Sequence, residues 1–307
     1  MLDERPETTG TAFWIGPCIA ITAVHVIDEL IFRLIPNSTP ISRGYSGLLD
    51  LRNITLGIRR YFSPIDFIGF KVTHAFRSAF CEDAAILFLS PTGEPTKLWD
   101  MPFKHLGLIL PPPERNNHVW AFGMAGGQVT DPTSISSYAV QADGEVTDVY
   151  DEPISPKNPF PGFAVRTDWP GGMSGGPVFP LPGNNGVIGF VTAGIGGIDD
   201  ETPVPNRRVG SEPPVGIAAC LWPLLGDVFQ APDVNEGLPF TLRNLAEKEE
   251  LSSYRINIEE DVKVEILPPD GEIEEVRLIQ DGVPREAWPV ARRTRVRKSP
   301  LDDLTGR

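Results

Sequence analysis

The stretch that decides the fold reads GGMSGGPVF, residues 171–179. Ser174 stands between Gly171–Gly172 and Gly175–Gly176, and Pro177 follows. Glycine reaches backbone conformations closed to other residues and lets another chain come close, while Pro177 rules out a helix running on from the serine. Such a stretch is either an ordinary turn or a nucleophile loop whose backbone N–H groups point at a reacting carbonyl. The rest of the chain decides between them.

GMSGG fits G-x-S-x-G, the nucleophile elbow of α/β-hydrolases. That fold needs a helix directly after the serine and a histidine later in the chain. His25, His74, His105 and His118 all precede Ser174, and Gly175, Gly176 and Pro177 oppose a helix. The elbow is excluded on order. The opposite order, histidine then aspartate then serine, is the other arrangement open to a serine nucleophile.

Three segments occur in that order. GTAFWIGPCIAITAVHV, residues 10–26, carries His25 in a T-A-x-H setting; EDAAILFL, residues 82–89, carries Asp83 directly before an apolar strand; GGMSGGPVF carries Ser174. With VIGFVTAG at 187–194, they resemble the trypsin/chymotrypsin-fold serine peptidases, and the HtrA-type bacterial branch more than the digestive enzymes. The likeness spans about residues 9–229, with Ala84 where an aliphatic residue is usual. It implies an all-β, chymotrypsin-like fold of two six-stranded β-barrels split near 110–115, over residues 1–229. It also implies a triad of His25, Asp83 and Ser174, an oxyanion hole made by the N–H groups of Gly172 and Ser174, and no metal or cofactor. His74, His105 and His118 are expected to be surface or loop histidines.

The specificity pocket has two readings. Asp168 lies six residues before Ser174, where trypsin-like members carry an acid selecting Arg or Lys. RTDWPGGMSGG also aligns with the HtrA-type pattern after a short deletion, and Asp168 is then no pocket floor. Trp169 and Pro170 lack the flanking cysteine of trypsin's loop. By the same resemblance Thr192, Ala193 and Gly194 line the opposite wall and bond the substrate backbone. Met173 stands where trypsin-like zymogens carry an acid, and a thioether cannot pair with a new N-terminal ammonium.

Composition narrows the class. The chain has 307 residues, is 41% hydrophobic and carries a net charge of −14, which disfavours general binding to nucleic acid or anionic membranes. Its longest early apolar run, FWIGPCIAITAVHVI, contains Pro17 and His25 and follows the acidic start MLDERPE, so neither a membrane span nor a signal is expected. Cys18, Cys81 and Cys220 form no CxxC pair, and buried thiols in a cytoplasmic protein are expected. Short apolar runs divided by 32 Pro and 30 Gly read as strands and turns. Helical patterns are limited to VIDELIFRLI, LWPLLGDVF and LRNLAEKEELSS.

Residues 230–307 form an extension of unassigned role. Residues 247–277 hold eleven acids against four bases, with strand-like YRINI, VKVEIL and EEVRLI and a PPDG turn at 268–271 that suggests a hairpin. ARRTRVRK, residues 291–298, reverses the charge. This basic run either neutralises the acidic stretch, the usual role of charge runs, or docks a regulatory protein partner. The expected function is a serine endopeptidase acting on protein or peptide substrates. A catalytically silent binding or regulatory module on the same fold is the alternative.

Overall fold

The computed structural model describes residues 10–34, 47–51, 57–61, 67–81, 83–92, 106–131, 134–150, 161–181, 186–195, 215–230, 238–247, 262–267, 273–280, 283–284 and 290–294. His105, YRINI and the PPDG turn lie outside them.

The first half runs β1 (Ala12–Gly16), β2 (Ile19–Ala23), α1 (Val24–Leu34), β3 (Gly47–Asp50), β4 (Gly57–Tyr61), β5 (Phe67–Arg77) and β6 (Ala84–Pro91). Side chains alternate across a strand, yet β2 and β6 are apolar almost throughout because both faces are covered. Ile19, Ile21, Ile86 and Phe88 enter one core, while Ala20, Ala85, Leu87 and Leu89 enter another. The strand order is β1-β2-β6-β5-β3, with β4 also on β5. Among the described residues these strands form one six-stranded sheet, without the pairing that would close it into the expected first barrel. β3 pairs with residues 74–77 of β5 and β4 with residues 67–71, so the long β5 carries two partners end to end rather than passing the edge on toward β1.

The second half does close. β8 (His118–Asp131), β9 (Ser134–Tyr150), β10 (Gly162–Arg166), β11 (Pro177–Pro180), β13 (Gly189–Ile195) and β14 (Val215–Cys220) form a barrel in the order β10-β14-β13-β11-β8-β9. The short β7 (Gly107–Leu108) and β12 (Gly186–Val187) pair in parallel beside it. LWPLLGDVF forms a 3-10 helix, η1 (Trp222–Gly226), rather than an α-helix. Pro223 at its start and Gly226 at its end hold it to a single tight turn.

The extension contains α2 (Leu242–Glu247) and a sheet of β15 (Val262–Ile266), β16 (Ile273–Gln280), β17 (Val283–Pro284) and β18 (Val290–Thr294). β15 and β16 pair antiparallel on either side of the residues where the hairpin turn is expected. β18 lies on the far side of β16 with Arg293 opposite Glu274 and Arg292 opposite Glu275. Phe240, Leu242, Leu245, Val276 and Leu278 are buried in the same core as the barrel. Between Val276 and the ring of Phe80, Gly226 leaves no room for a side chain.

Candidate active site

His25 is the second residue of α1, which starts where β2 ends. The first N–H groups of a helix have no partner inside it. Here Asp83 supplies acceptors: the Val24 N–H donates to its carbonyl at 2.7 Å and the His25 N–H to its Oδ1 at 3.2 Å. The same carboxylate takes His25 Nδ1, at 3.0 Å from Oδ1 and 3.1 Å from Oδ2. Nδ1 therefore carries the proton, and among the described residues Nε2 has no hydrogen-bond partner. Asp83 thus fixes the ring's tautomer and direction, and it anchors the start of the helix that carries the ring.

The loop bearing Asp83 is braced from behind. Asp227, 1% exposed, accepts the Ser78 hydroxyl at 2.5 Å and the Ala79 N–H at 2.9 Å, while Ser78 Oγ accepts the N–H groups of Phe80 and Cys81. Asp227 directly follows η1, so the C-terminal segment supports the acid loop. Cys81 and Cys220 are buried and Cys18 partly so; burial pushes the Cys220 thiol up to about 12.

Desolvation lowers the basicity of His25, but the Asp83 hydrogen bond and charge, followed by the charges of Glu29 and Asp28, outweigh it and raise its pKa above 6.5. Asp28 is itself raised by burial, against the pull of the Arg77 guanidinium 3.9 Å away.

The loop bearing Ser174 packs against the strand leading to His25. A Cβ on Gly175 would lie 2.1 Å from the Thr11 carbonyl, 2.3 Å from Thr22 Oγ1 and 3.0 Å from the Ala23 nitrogen, and its φ is +82°. Only glycine fits there. Gly172, at φ +90°, is the loop's other left-handed residue, and a Cβ there would meet the Met124 carbonyl at 2.6 Å. The Thr11 N–H donates to the Ser174 carbonyl and the Gly176 N–H to the Met173 carbonyl, both at 2.8 Å. Among the described residues, the N–H groups of Gly172 and Ser174 donate to no acceptor, and Ser174 Oγ makes no hydrogen bond to His25. Met173 is fully buried, and Gly123 makes room for it.

Thr192 is buried and spends its hydroxyl on the Ile217 carbonyl at 3.0 Å, Ala193 is half-buried, and Gly194 is exposed. Asp168 is exposed. The residue that the pocket readings missed is its neighbour Trp169. Gly194 and Gly216 stand opposite each other on β13 and β14, and Trp169 covers both: its carbonyl lies 3.2 Å from a Cβ on Gly194 and its indole lies over Gly216. A Cβ on Gly216 would lie 2.4 Å from the ring. Trp169 is 4% exposed, and among the described residues its Nε1 has no acceptor. Only the bulk of Trp169 beside the serine loop hinted at this.

His118 is exposed on β8, but His74 is buried inside β5 with Nδ1 3.1 Å from Thr73 Oγ1. This corrects the expected surface placement: β5 pairs along its length with β6, and His74 stands opposite Phe88. Among the described residues, no group of His, Cys, Asp and Glu could hold a metal ion. No helix there is long and apolar enough to cross a membrane.

No protein-family model and no curated protein matches the chain. Among solved structures it is similar to the inactive form of an Rv3671c mutant from M. tuberculosis, with TM-score 0.40 and 19% identity over 71% of this chain and 78% of that one. The active form of the Rv3671c protease from M. tuberculosis gives 0.41 and 17%, over 71% and 70%. Deg5 gives 0.35 and 15%, over 62% and 77%.

Proposed function

We propose that this chain is a serine endopeptidase in which Ser174, His25 and Asp83 act as one unit. The observation that carries the reading is the His25–Asp83 pair: Nδ1 is held by both carboxylate oxygens, while Gly175, next to Ser174, packs against Thr22 and Ala23 of the strand that leads to His25. In the proposed reaction, Ser174 Oγ attacks the substrate carbonyl carbon as Nε2 of His25 takes its proton. The carbonyl electrons move onto oxygen, and the N–H groups of Gly172 and Ser174 stabilise that charge. Imidazolium then protonates the leaving amine, the C–N bond breaks, and an acyl-enzyme remains. Water, deprotonated by His25, attacks the ester carbonyl carbon; the C–O bond to Ser174 then breaks, the imidazolium returns its proton to Oγ, and the acid is released.

The substrate is an extended peptide lying along Thr192, Ala193 and Gly194. With Asp168 exposed and Gly194 and Gly216 covered by Trp169, the pocket reading that geometry supports is one for small side chains rather than for Arg or Lys.

A fluorophosphonate probe, read by peptide mass spectrometry, tests the nucleophile. Ser174 is expected to be labelled, and Ser174→Ala and His25→Ala are each expected to cut peptide turnover by on the order of a millionfold, with the double variant little worse. If the folded protein is neither labelled nor active, the enzyme reading fails and the binding-module alternative stands.

A further inference from the structure

Thr11 lies just ahead of β1, far in sequence from the serine loop, yet four of its hydrogen bonds meet around that loop. Its hydroxyl donates to the Gly172 carbonyl at 2.9 Å and accepts the Met124 N–H at 2.8 Å. Its N–H donates to the Ser174 carbonyl at 2.8 Å, and its carbonyl accepts the Thr22 hydroxyl at 2.6 Å. The residue is 7% exposed. One side chain therefore ties β8 to the serine loop, and one backbone unit ties β2 to it.

Peptide planes are rigid, so each plane in the loop is set by whatever holds its carbonyl or its N–H. The 173–174 plane is held by the bond from the Gly176 N–H to the Met173 carbonyl at 2.8 Å, which turns the Ser174 N–H the other way. The 172–173 plane is held at one end by Thr11 Oγ1 and at the other by the Met173 N–H bond to the Pro170 carbonyl at 3.3 Å. The 171–172 plane carries the Gly172 N–H and joins two glycines. Among the described residues it has no hydrogen bond of its own, so its direction depends on the held plane beside it.

We infer that Thr11 is the positioning residue that aims the Gly172 N–H at the developing oxyanion. It replaces an N-terminal ion pair, which the buried thioether of Met173 cannot make. The inference rests on the peptidase reading. Without the hydroxyl, the Gly172 carbonyl and the Met124 N–H both lose a partner, and the Gly171–Gly172 peptide is free to turn its N–H inward. The serine, histidine and aspartate stay in place. The fault lies in the acylation step.

The test measures fluorophosphonate labelling rate, kcat and KM on one peptide substrate, and Tm, for the full chain and for Thr11→Val, Thr11→Ser and Thr11→Cys. Losing one oxyanion donor costs ~10²–10³-fold, so Thr11→Val, which mis-aims the donor without deleting it, is expected to slow labelling and kcat by roughly 30-fold with KM little changed. Thr11→Ser keeps the hydroxyl and is expected to stay within about 3-fold of the parent, whatever its Tm. Labelling of Thr11→Val at the parent rate overturns the inference, as does Thr11→Ser being as slow as Thr11→Val. Should Thr11→Val not fold, Thr11→Cys decides: a thiol is a weak donor and acceptor, and a rate equal to that of Thr11→Ser overturns the inference. A parent protein that takes no label at all fails the peptidase reading itself, and the inference falls with it.

Discussion

At His25 two opposing influences meet, and their balance sets the pH at which the proposed base works. Desolvation favours the neutral ring, while Asp83, Glu29 and Asp28 favour the charged one and prevail, so the pKa lies above 6.5. A general base must be neutral to accept the serine proton. The acidic limb of kcat/KM is therefore expected to lie above the ordinary histidine value, with activity rising as pH climbs through it. Glu29→Gln removes one raising charge and is expected to move the limb to lower pH. A pH–rate profile checks this, and an unmoved limb rejects the electrostatic account. The same sign governs stability: a raised folded pKa contributes stability that is full below 6.5 and lost as pH rises through the His25 value. With the ring 46% exposed, solvent screening keeps that contribution small.

Where β13 and β14 face each other, one tryptophan covers two glycines. A cover of this kind sets the largest side chain a substrate can insert, and one methylene is worth ~10–200-fold in a hydrophobic pocket. The parent is expected to prefer Ala or Val before the scissile bond. Trp169→Leu is expected to admit Leu and Phe at least ~10-fold better relative to Ala. A peptide-library profile reads both, and a parent preference for Arg or Lys restores Asp168 to the pocket. How far this was legible in the sequence follows from locality. His25 and Asp83 each sit in a short segment whose own residues make the local structure, and the structure joins these two; Ser174 as their third member is the proposed part. Trp169 covers both glycines only because the barrel register sets Gly194 against Gly216, which no local pattern encodes. The same reason hid the Thr11 bonds and the way β5 shares its edge between β3 and β4. η1 differs: apolar spacing suggested a helix, and the local Pro223 and Gly226 decided its winding.

Across the whole molecule, the extension is part of the core. Phe240, Leu242, Leu245, Val276 and Leu278 are each no more than 1% exposed, and burying such a side chain contributes about 1.5–3 kcal/mol. Five of them supply on the order of 10 kcal/mol, comparable to the ~5–15 kcal/mol by which a domain is stable. A chain ending near residue 229 is therefore expected to lose its folded circular dichroism signal rather than remain an active barrel; a soluble, active truncation contradicts this. Because Val276 and Phe80 close over Gly226 from opposite ends of the sequence, the acid loop is backed only after the last strands exist. A ribosome adds ~5–20 residues per second, so roughly 5–20 s separate the synthesis of Ser174 from that of Val276. During that interval the nascent chain carries every proposed reacting group without the packing of Val276 against Gly226. For the proposed peptidase, translation itself then acts as a timer that runs until Val276 is added.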